Sequence, residues 1–405
     1  MNILNINERV FNDHTITSKE YHTYLPYANS SLNKSDEIRI PIQTQDIYTY
    51  PAESFLEIDG VVLDESEKPS DTIKLVNNAF AFLFDEIRYE LGGAIVDRVR
   101  NPGITALMKG YASFTEQECL RYQNAGWNQN EHLKIVDQTT GHFSVCIPLK
   151  ILMGVFEDFR KIIVNIRQEL VLIRSFSDNN CVLTTKTNEK PNIRVDKVTW
   201  KIEHIKVDDE AKLKLLSYIE HGRDLAISFR GWELHEYPLL QQNMQHTWNV
   251  KSVNQLEKPR YLLFGLQSDR KNQLSKDCSH FDHCNLTNFK AYLNSEIYPY
   301  DNLNINFDKK QYAILYEMYA RFQQSYYYKS VGQPCLTLNK FIDIAPLVVI
   351  DCVYQVDTLK SGTVDIRLEF ETNKNIPAGT CAYLLILHDR KIKYNPLTNI
   401  VKTEI

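Results

Sequence analysis

The segments VNIRQEL (residues 164–170) and VDIRLEF (residues 364–370) share valine, isoleucine, arginine and glutamate at the same spacing. In the second segment apolar and polar residues alternate without a break, which is the period of a half-buried β-strand. The longer first stretch, KIIVNIRQELVL (161–172), alternates in the same way, and only Gln168 interrupts its apolar face. Both segments are therefore predicted to be strands at corresponding places in two related units.

Three further pairs of segments match in the same order along the chain. They are LGGAI (91–95) with LNSEI (293–297), ITALMKGYASF (104–114) with YAILYEMYARF (312–322), and GHFSVCIPL (141–149) with KFIDIAPLV (340–348), which share F-x4-P-L. The members of each pair lie about 200 residues apart, as the copies of one repeated structural unit would. The order of the matches predicts an internal duplication.

Other segments complete the predicted units. AFAFLFDEIRYEL (79–91) is predicted as a strand with its phenylalanines on one side, and RYLLFGL (260–266) is placed at the matching position. The halves are expected to close with strands at 198–207 and 381–394, and the proline of each F-x4-P-L is expected to end a strand. Gly92-Gly93 is interpreted as a turn or bulge between strands.

Each half is also expected to carry one helix. In the second half, Asp308 is proposed to cap a helix whose apolar residues recur at the helical period over 312–322. In the first half, Asn101-Pro102 supplies a cap and a first-turn proline. Acidic residues at the start of DDEAKLKLLSYIEHG (208–222) and a glycine at its end predict a linker helix between the halves.

These patterns predict an all-β protein of two tandem jelly-roll β-sandwiches, with a few short helices on the connections. The expected divisions are an N-terminal arm over 1–36, a first jelly roll over 37–207, a linker helix over 208–223 and a second jelly roll over 224–405. The length of 405 residues fits two domains.

Composition and charge exclude some classes of function. The formal net charge of −5 argues against a chain that wraps nucleic acid by itself, and residues 1–36 hold no run of basic residues. The first residues lack the basic and apolar regions of a secretory signal, so we expect a protein that is not secreted. Eight scattered cysteines are interpreted as thiols in a reducing compartment.

One cluster has the residue types of a metal site. DCSHFDHC (277–284) holds Cys278, His280, His283 and Cys284, and thiolates with imidazoles bind zinc. The cysteines lack the usual C-x2–4-C spacing, and His283 adjoins Cys284. The cluster also lies in a polar insertion, 267–288, that the first half lacks. We expect a solvent-exposed loop and predict no metal site and no cofactor.

The sequence evidence for a catalytic site is equally weak. The adjacent carboxylates Asp85-Glu86 and Glu157-Asp158 are interpreted as salt-bridge partners, because neighbours on a strand point to opposite faces. His204, in a strand beside a tryptophan, is expected to be a packed imidazole. Trp127, in the polar stretch GWNQNEH, is a candidate surface contact. No phosphate-binding or nucleophile-elbow motif occurs, so we predict no enzymatic activity.

Longer strings in the sequence resemble the double jelly roll major capsid proteins, above all those of Polinton/Maverick elements, adintoviruses and related double jelly roll-like proteins of animal genomes. The strings are ELGGAIVDRVRNPGITALMKGY (90–111), FSVCIPLKILMGVFEDF (143–159), EKPRYLLFGL (257–266), NFKAYLNSEIYPY (288–300) and AYLLILHDRKIKYNPLTNI (382–400). The first and last strings are specific, whereas F-x4-P-L alone is not.

The resemblance implies a capsid protein of an icosahedral DNA virus or virus-like element. Such proteins form homotrimers whose six jelly rolls make a pseudo-hexameric capsomer. It also implies partners: further copies of itself, then penton or minor capsid proteins, without strong direct nucleic-acid binding. Localisation would be the virion, after synthesis in the host cytoplasm or nucleus. Two alternatives stay open, namely a domesticated protein and a carbohydrate-binding jelly-roll protein, neither of which assembles a shell.

Overall fold

The computed structural model describes residues 15–28, 32–43, 48–64, 66–70, 72–128, 135–186, 190–250, 259–354 and 364–404. The first half contains eleven of its strands: β1 (Ile16–Tyr24), β2 (Glu37–Ile42), β3 (Tyr48–Leu63), β4 (Ile73–Leu75), β5 (Phe84–Leu91), β6 (Ala94–Arg100), β7 (His142–Pro148), β8 (Ile163–Val164), β9 (Gln168–Arg174), β10 (Val182–Thr184) and β11 (Asn192–Val207).

The second half contains the other nine: β12 (Leu225–Tyr237), β13 (Gln245–Val250), β14 (Pro259–Ser268), β15 (Leu286–Leu293), β16 (Glu296–Tyr298), β17 (Val348–Asp351), β18 (Ile366–Thr372), β19 (Thr380–Tyr394) and β20 (Val401–Glu404). The helices are α1 (Pro102–Ser113), α2 (Glu116–Arg121), α3 (Gly154–Asp158), α4 (Asp209–Glu220), α5 (Ala313–Tyr327) and α6 (Leu338–Ile344). No helix in the described parts of the chain is both long enough and apolar enough to cross a membrane.

The two halves share one sheet topology. In the first half the sheets have the orders β1-β11-β3-β7 and β2-β9-β5-β6, and in the second half β12-β19-β14-β17 and β13-β18-β15-β16. If the short strands β4, β8, β10 and β20 are left out and the other eight strands of each half are numbered in order, both pairs of sheets have the strand orders 1-8-3-6 and 2-7-4-5. Eight antiparallel strands in two sheets form a jelly roll. The predicted all-β fold of two tandem jelly rolls is therefore confirmed.

Each jelly roll encloses an aromatic core between its sheets. In the first, Tyr89 lies 5.0 Å from Phe156 and 6.2 Å from Trp200 between ring centroids. In the second, the ring of Phe264 lies 4.7 Å from Phe289 and 5.0 Å from Phe370. Burial of such large rings supplies much of the hydrophobic stabilisation of each half.

The predicted N-terminal arm differs from the structure. Residues 16–24 form β1, which pairs antiparallel with β11 and occupies the same sheet position as β12 in the second half. Hence the first jelly roll begins before residue 37. Residues 1–14 and 29–31 of the expected arm lie outside the described residues. In the expected linker, α4 follows the side-chain cap of Asp208, whose carboxylate accepts a hydrogen bond from the Ala211 amide.

The F-x4-P-L pattern does not mark equivalent places. Pro148 ends β7 as predicted, but Phe341 lies in α6 and Pro346 precedes β17. The strand predicted over 79–91 was wrong at its start, because residues Ala79–Leu83 form a 3-10 helix before β5. RYLLFGL also matches β3 rather than β5, since β14 and β3 share a sheet position.

The helices and the closing strands agree better with the sequence analysis. Asn101 caps α1 and Pro102 begins it. Helix α5 occupies the equivalent connection, but its cap is Tyr312 instead of the predicted Asp308. Strand β11 closes the first half as predicted, whereas the strand predicted to close the second half, β19, is followed by β20, which pairs with it. Gly92-Gly93 forms the turn between β5 and β6, with both residues at positive φ.

The strand β1 is held to β11 by a stacked pair of histidines. The ring of His22 lies 3.9 Å from that of His204, and His204 Nε2 is 2.9 Å from the Tyr24 hydroxyl. Burial, together with the nearby His22, lowers the pKa of His204 to about 4, although Glu20 opposes the shift. The fold therefore favours neutral His204, whereas an unfolded chain titrates near its ordinary value.

We expect acidification to loosen β1. Because the folded pKa of His204 is lowered, its contribution to stability is complete above about pH 6.5 and is lost toward pH 4, by at most about 3 kcal/mol. Hydrogen exchange, corrected for intrinsic rates, should show lower protection of residues 16–24 at pH 4.5 than at pH 7. The variant His204→Gln should lose most of this pH dependence. Equal protection at both pH values in the original protein would contradict the expectation.

Candidate functional site at the junction of the two halves

The junction between the jelly rolls is built around two helices at equivalent positions, α1 and α5. All residues of α1 are buried, including Lys109 at 1% exposure. Backbone groups at the end of α1 meet the second half directly: the Gln323 amide donates to the Phe114 carbonyl at 2.8 Å, and the Cys335 thiol donates to the Tyr111 carbonyl at 3.3 Å. The two halves are thus joined by hydrogen bonds as well as by apolar contact.

A buried ion pair lies at the centre of this junction. Lys109 Nζ donates to Glu157 Oε1 at 2.9 Å and lies 3.1 Å from the Tyr327 hydroxyl, and the Tyr326 hydroxyl donates to Glu157 Oε2 at 2.8 Å. The ammonium also lies 4.3 Å from the Tyr326 ring centroid and 4.9 Å from that of Trp232. Burial lowers the pKa of Lys109, and Glu157 opposes that shift. The second half therefore completes the environment of a charge carried by the first.

Beside the Lys109–Glu157 pair, a second ion pair joins the first half to the second. Arg230 of β12 binds Asp158 through Nε at 2.8 Å and Nη2 at 2.6 Å, while its backbone amide donates to the same carboxylate at 2.8 Å. Arg230 Nη1 donates to the Tyr326 carbonyl, and the guanidinium lies 3.5 Å from the Tyr326 ring centroid. This bidentate geometry fixes orientation as well as distance.

Close backbone approach accompanies these ion pairs. A Cβ atom placed on Gly154, the first residue of α3, would lie 1.8 Å from the Arg230 carbonyl oxygen. Only glycine allows α3 and β12 to approach this closely. The C-terminal part of the second half adds further contacts, because the Val164 amide donates to the Tyr394 hydroxyl at 3.3 Å and the Asn165 side chain donates to the Pro396 carbonyl at 2.8 Å.

The insertion at 267–288 makes hydrogen bonds to the first half at another part of the junction. The Thr184 amide donates to the Leu274 carbonyl at 2.8 Å, and the Asn272 amide donates to Asn180 Oδ1 at 2.7 Å. Within it, Arg270 holds Asp282 through two hydrogen bonds of 2.8 and 2.6 Å. The insertion is therefore an ordered part of the contact between the halves.

The prediction that residues 277–284 form a solvent-exposed loop was wrong. Cys278 and Cys284 are buried, and His280 and His283 are half-buried. The Cys284 sulfur contacts the Ser268 hydroxyl, and His283 Nδ1 accepts from the Asn285 amide at 2.9 Å. No group of three or more metal-ligating side chains occurs among the residues that the structure describes.

The other candidate residues are packed in the core or paired with neighbouring side chains. Trp127 is buried at 1% exposure against Tyr111 and Phe114, so its interpretation as a surface contact was wrong. His204 is packed as described above. Glu86 is paired with Arg98 at 2.7 Å, and Asp85 accepts from the Ser175 hydroxyl at 2.8 Å.

The roles of Lys109, Arg230 and Gly154 at the junction were not predicted from the sequence. Glu157-Asp158 was assigned to salt bridges, but its partners were not identified. One signal was available, namely a single lysine inside the otherwise apolar helix ITALMKGYASF, since a buried lysine requires a counter-charge. The identity of that counter-charge depends on contacts between distant segments, which no local pattern contains.

The family model described as the double jelly roll-like domain matches residues 73–392. The structure is similar to the Faustovirus major capsid protein, with a TM-score of 0.62 and 10% identity, covering 95% of this chain and 92% of that one. It is similar to a chain of the PBCV-1 virus capsid, with a TM-score of 0.61 and 8% identity, covering 98% of this chain and 99% of that one.

It is also similar to the mavirus major capsid protein, with a TM-score of 0.55 and 12% identity, covering 99% of this chain and 94% of that one. No curated protein sequence matches the chain. At these identities the structural likenesses concern the fold, and they extend over both jelly rolls.

The ion pair at the junction is testable by a mutant cycle. Glu157→Gln should reduce the free energy of unfolding by about 3–5 kcal/mol, because Lys109 keeps a buried charge without its partner. Adding Lys109→Met should recover most of that loss. Urea denaturation followed by tryptophan fluorescence measures both changes.

The exposed pair Lys214–Glu210 provides the matched control. Glu210→Gln should change the free energy of unfolding by less than about 0.5 kcal/mol, because a solvated helix pair contributes little. If Glu157→Gln were as mild as this control, the buried ion pair would not hold the junction.

The close approach at Gly154 gives a separate prediction. Gly154→Ala should destabilise the protein by about 3 kcal/mol, because the new methyl group overlaps the Arg230 carbonyl and the two elements must separate. Gly93→Ala is the control: it meets no atom within 4 Å and adds only left-handed backbone strain of about 1–2 kcal/mol. Thermal unfolding measures the stability of both variants. Equal losses of stability would show that α3 and β12 move apart at little energetic cost.

Proposed function

This chain belongs to the double jelly roll-like domain family, and from that premise we propose that it is a major capsid protein. In the proposal, three copies form a homotrimer whose six jelly rolls make a pseudo-hexameric capsomer. The capsomers assemble the shell of an icosahedral DNA virus or virus-like element. No enzymatic step is part of this role.

One observation carries the proposal: two units of identical sheet order are locked together in a single chain. The Arg230–Asp158 pair and the hydrogen bonds of Tyr326 and Tyr327 to the buried Lys109–Glu157 pair fix their mutual orientation. A three-fold assembly of such chains presents six similar wedges around its axis, and a lattice of six neighbours needs that arrangement. A flexible pair of domains would not supply it.

Exposed aromatic side chains support a role in self-assembly. Tyr300, Tyr328 and Tyr354 are 87%, 89% and 93% exposed in the single chain. Tyrosine is enriched in protein interfaces relative to the rest of the protein surface. We infer that further copies of the chain cover some of these rings.

The proposed location is the virion, and synthesis is placed in the host cytoplasm or nucleus. The proposed partners are other capsomers and the penton or minor capsid proteins that close a shell. Strong direct contact with the genome is not part of the proposal, because the chain carries a net charge of −5.

Assembly state is the decisive measurement. Purified protein should give a native mass three times the 47.3 kDa of the chain, together with three-fold particle averages of six-lobed outline or closed shells in negative-stain electron microscopy. Mass photometry across protein concentration and salt should agree with the images.

A uniform monomer under all of these conditions would contradict the proposal and favour the domesticated or carbohydrate-binding alternatives. A glycan array then distinguishes those two, since only the second predicts binding. The variant Glu157→Gln offers an internal comparison: a loosened junction should reduce six-lobed particles more than the surface variant Glu210→Gln does.

A further inference from the structure

Two cysteines from opposite halves meet at the junction. Cys119 lies in α2 of the first half, and Cys335 lies in the segment that follows α5 in the second. Both are 7% exposed and line one cavity of about 230 Å³, together with Trp127 and Tyr316. The shared lining makes the two thiols neighbours across the junction, and Cys335 is the largest cause of a raised pKa at Cys119. All eight cysteines of the chain are thiols in this structure.

The surroundings hold both sulfurs in place. The Cys335 thiol donates to the Tyr111 carbonyl at 3.3 Å and lies 3.7 Å from the Tyr319 hydroxyl. Cys119 follows a complete capping box, in which Thr115 and Glu118 bind each other's backbone amides at 2.9 and 3.2 Å. Two thiols that line one small cavity can meet the geometry of a disulfide with a local shift of their side chains and backbone.

We propose that Cys119 and Cys335 form a disulfide that cross-links the two jelly rolls when the protein meets a low-molecular-weight disulfide such as oxidised glutathione. This inference does not depend on the proposed capsid role, because it concerns the junction within one chain.

The reaction is balanced by thiol–disulfide exchange. One cysteine thiolate attacks oxidised glutathione, forms a mixed disulfide and releases one glutathione thiolate. The second cysteine thiolate then attacks the protein sulfur of the mixed disulfide and releases the second glutathione. The two cysteines lose two protons and two electrons, and the oxidant is reduced to two glutathione molecules.

Burial makes this reaction slow at neutral pH. The hydrogen bond with Cys335 and burial together raise the pKa of Cys119 well above that of an ordinary thiol. Since the thiolate is the attacking species, the rate should increase with pH. In a reducing compartment the pair stays as thiols, and oxidising surroundings convert it over a longer time. The junction would therefore become covalent only after the chain has folded.

The cross-link closes a loop of more than half of the chain. Closing so long a loop restricts the unfolded state strongly, so oxidation should raise the resistance of the protein to urea. It also prevents the halves from separating when the ion pairs of the junction are weakened by salt or acid.

Peptide mapping of the oxidised protein tests the proposal. Folded protein is incubated with oxidised glutathione at pH 8.5, alkylated, digested without reduction and analysed by mass spectrometry. We expect a disulfide-linked peptide pair that contains Cys119 and Cys335, a loss of two of the eight thiols, and a higher urea midpoint that dithiothreitol reverses.

Three variants complete the test. Cys119→Ser and Cys335→Ser should each abolish the linked peptide and the increase in the urea midpoint. Cys381→Ser, which changes another cysteine of 7% exposure, should abolish neither. A linked peptide of Cys181 and Cys278, glutathione adducts without a protein disulfide, or unchanged thiols in the original protein would each overturn the assignment.

Discussion

The relative position of the two jelly rolls depends on a buried ion pair of the first half whose hydrogen bonds the second half completes. Lys109 is buried in α1, and its environment consists of Glu157 from the first half and Tyr326 and Tyr327 from the second. A buried charge is tolerated only with its partners in place, and loss of one partner costs several kcal/mol. Because Arg230 and Asp158 add a bidentate pair beside it, any sliding or rotation of the halves breaks several strong interactions together. The chain thus behaves as one unit of fixed shape.

Strand periodicity could be predicted from sequence only in part, and the register between the copies could not. The single strand predicted over 161–172 was wrong: this stretch is divided between β8 and β9, which lie in different sheets, and Asn165 between them has a positive φ. VNIRQEL and VDIRLEF align Ile166 with Ile366, whereas strand pairing places Ile366 opposite Leu293 and Gln168 opposite the corresponding Leu91. The true offset therefore differs by two residues. Such a shift leaves every side chain on the same face of a sheet, so the alternating pattern is equally satisfied. Gln168, which interrupted that pattern, is a core residue that binds Thr49 and Tyr89.

The remaining errors arose where tertiary contacts override local composition. Residues 277–284 and Trp127 lie in polar stretches, yet Cys278, Cys284 and Trp127 are buried because neighbouring segments cover them. The start of AFAFLFDEIRYEL alternates like a strand but forms a 3-10 helix, whose phenylalanines are buried. The junction was not predictable for a related reason: Lys109 and Tyr326 lie far apart in sequence, and only the packing of α1 against the second half brings them together.

Duplication has left the two copies alike in topology and different in surface. The match of ITALMKGYASF with YAILYEMYARF equates Tyr111 with Tyr319, both buried, but it also equates the buried Lys109 with Glu317, which is exposed and paired with Arg321. Helix α1 is buried throughout, whereas α5 keeps an exposed face. The two halves therefore meet through unlike surfaces, and neither can replace the other at the junction. That asymmetry gives the chain a defined orientation and leaves the exposed face of α5 as surface for the proposed contacts with further copies of the chain.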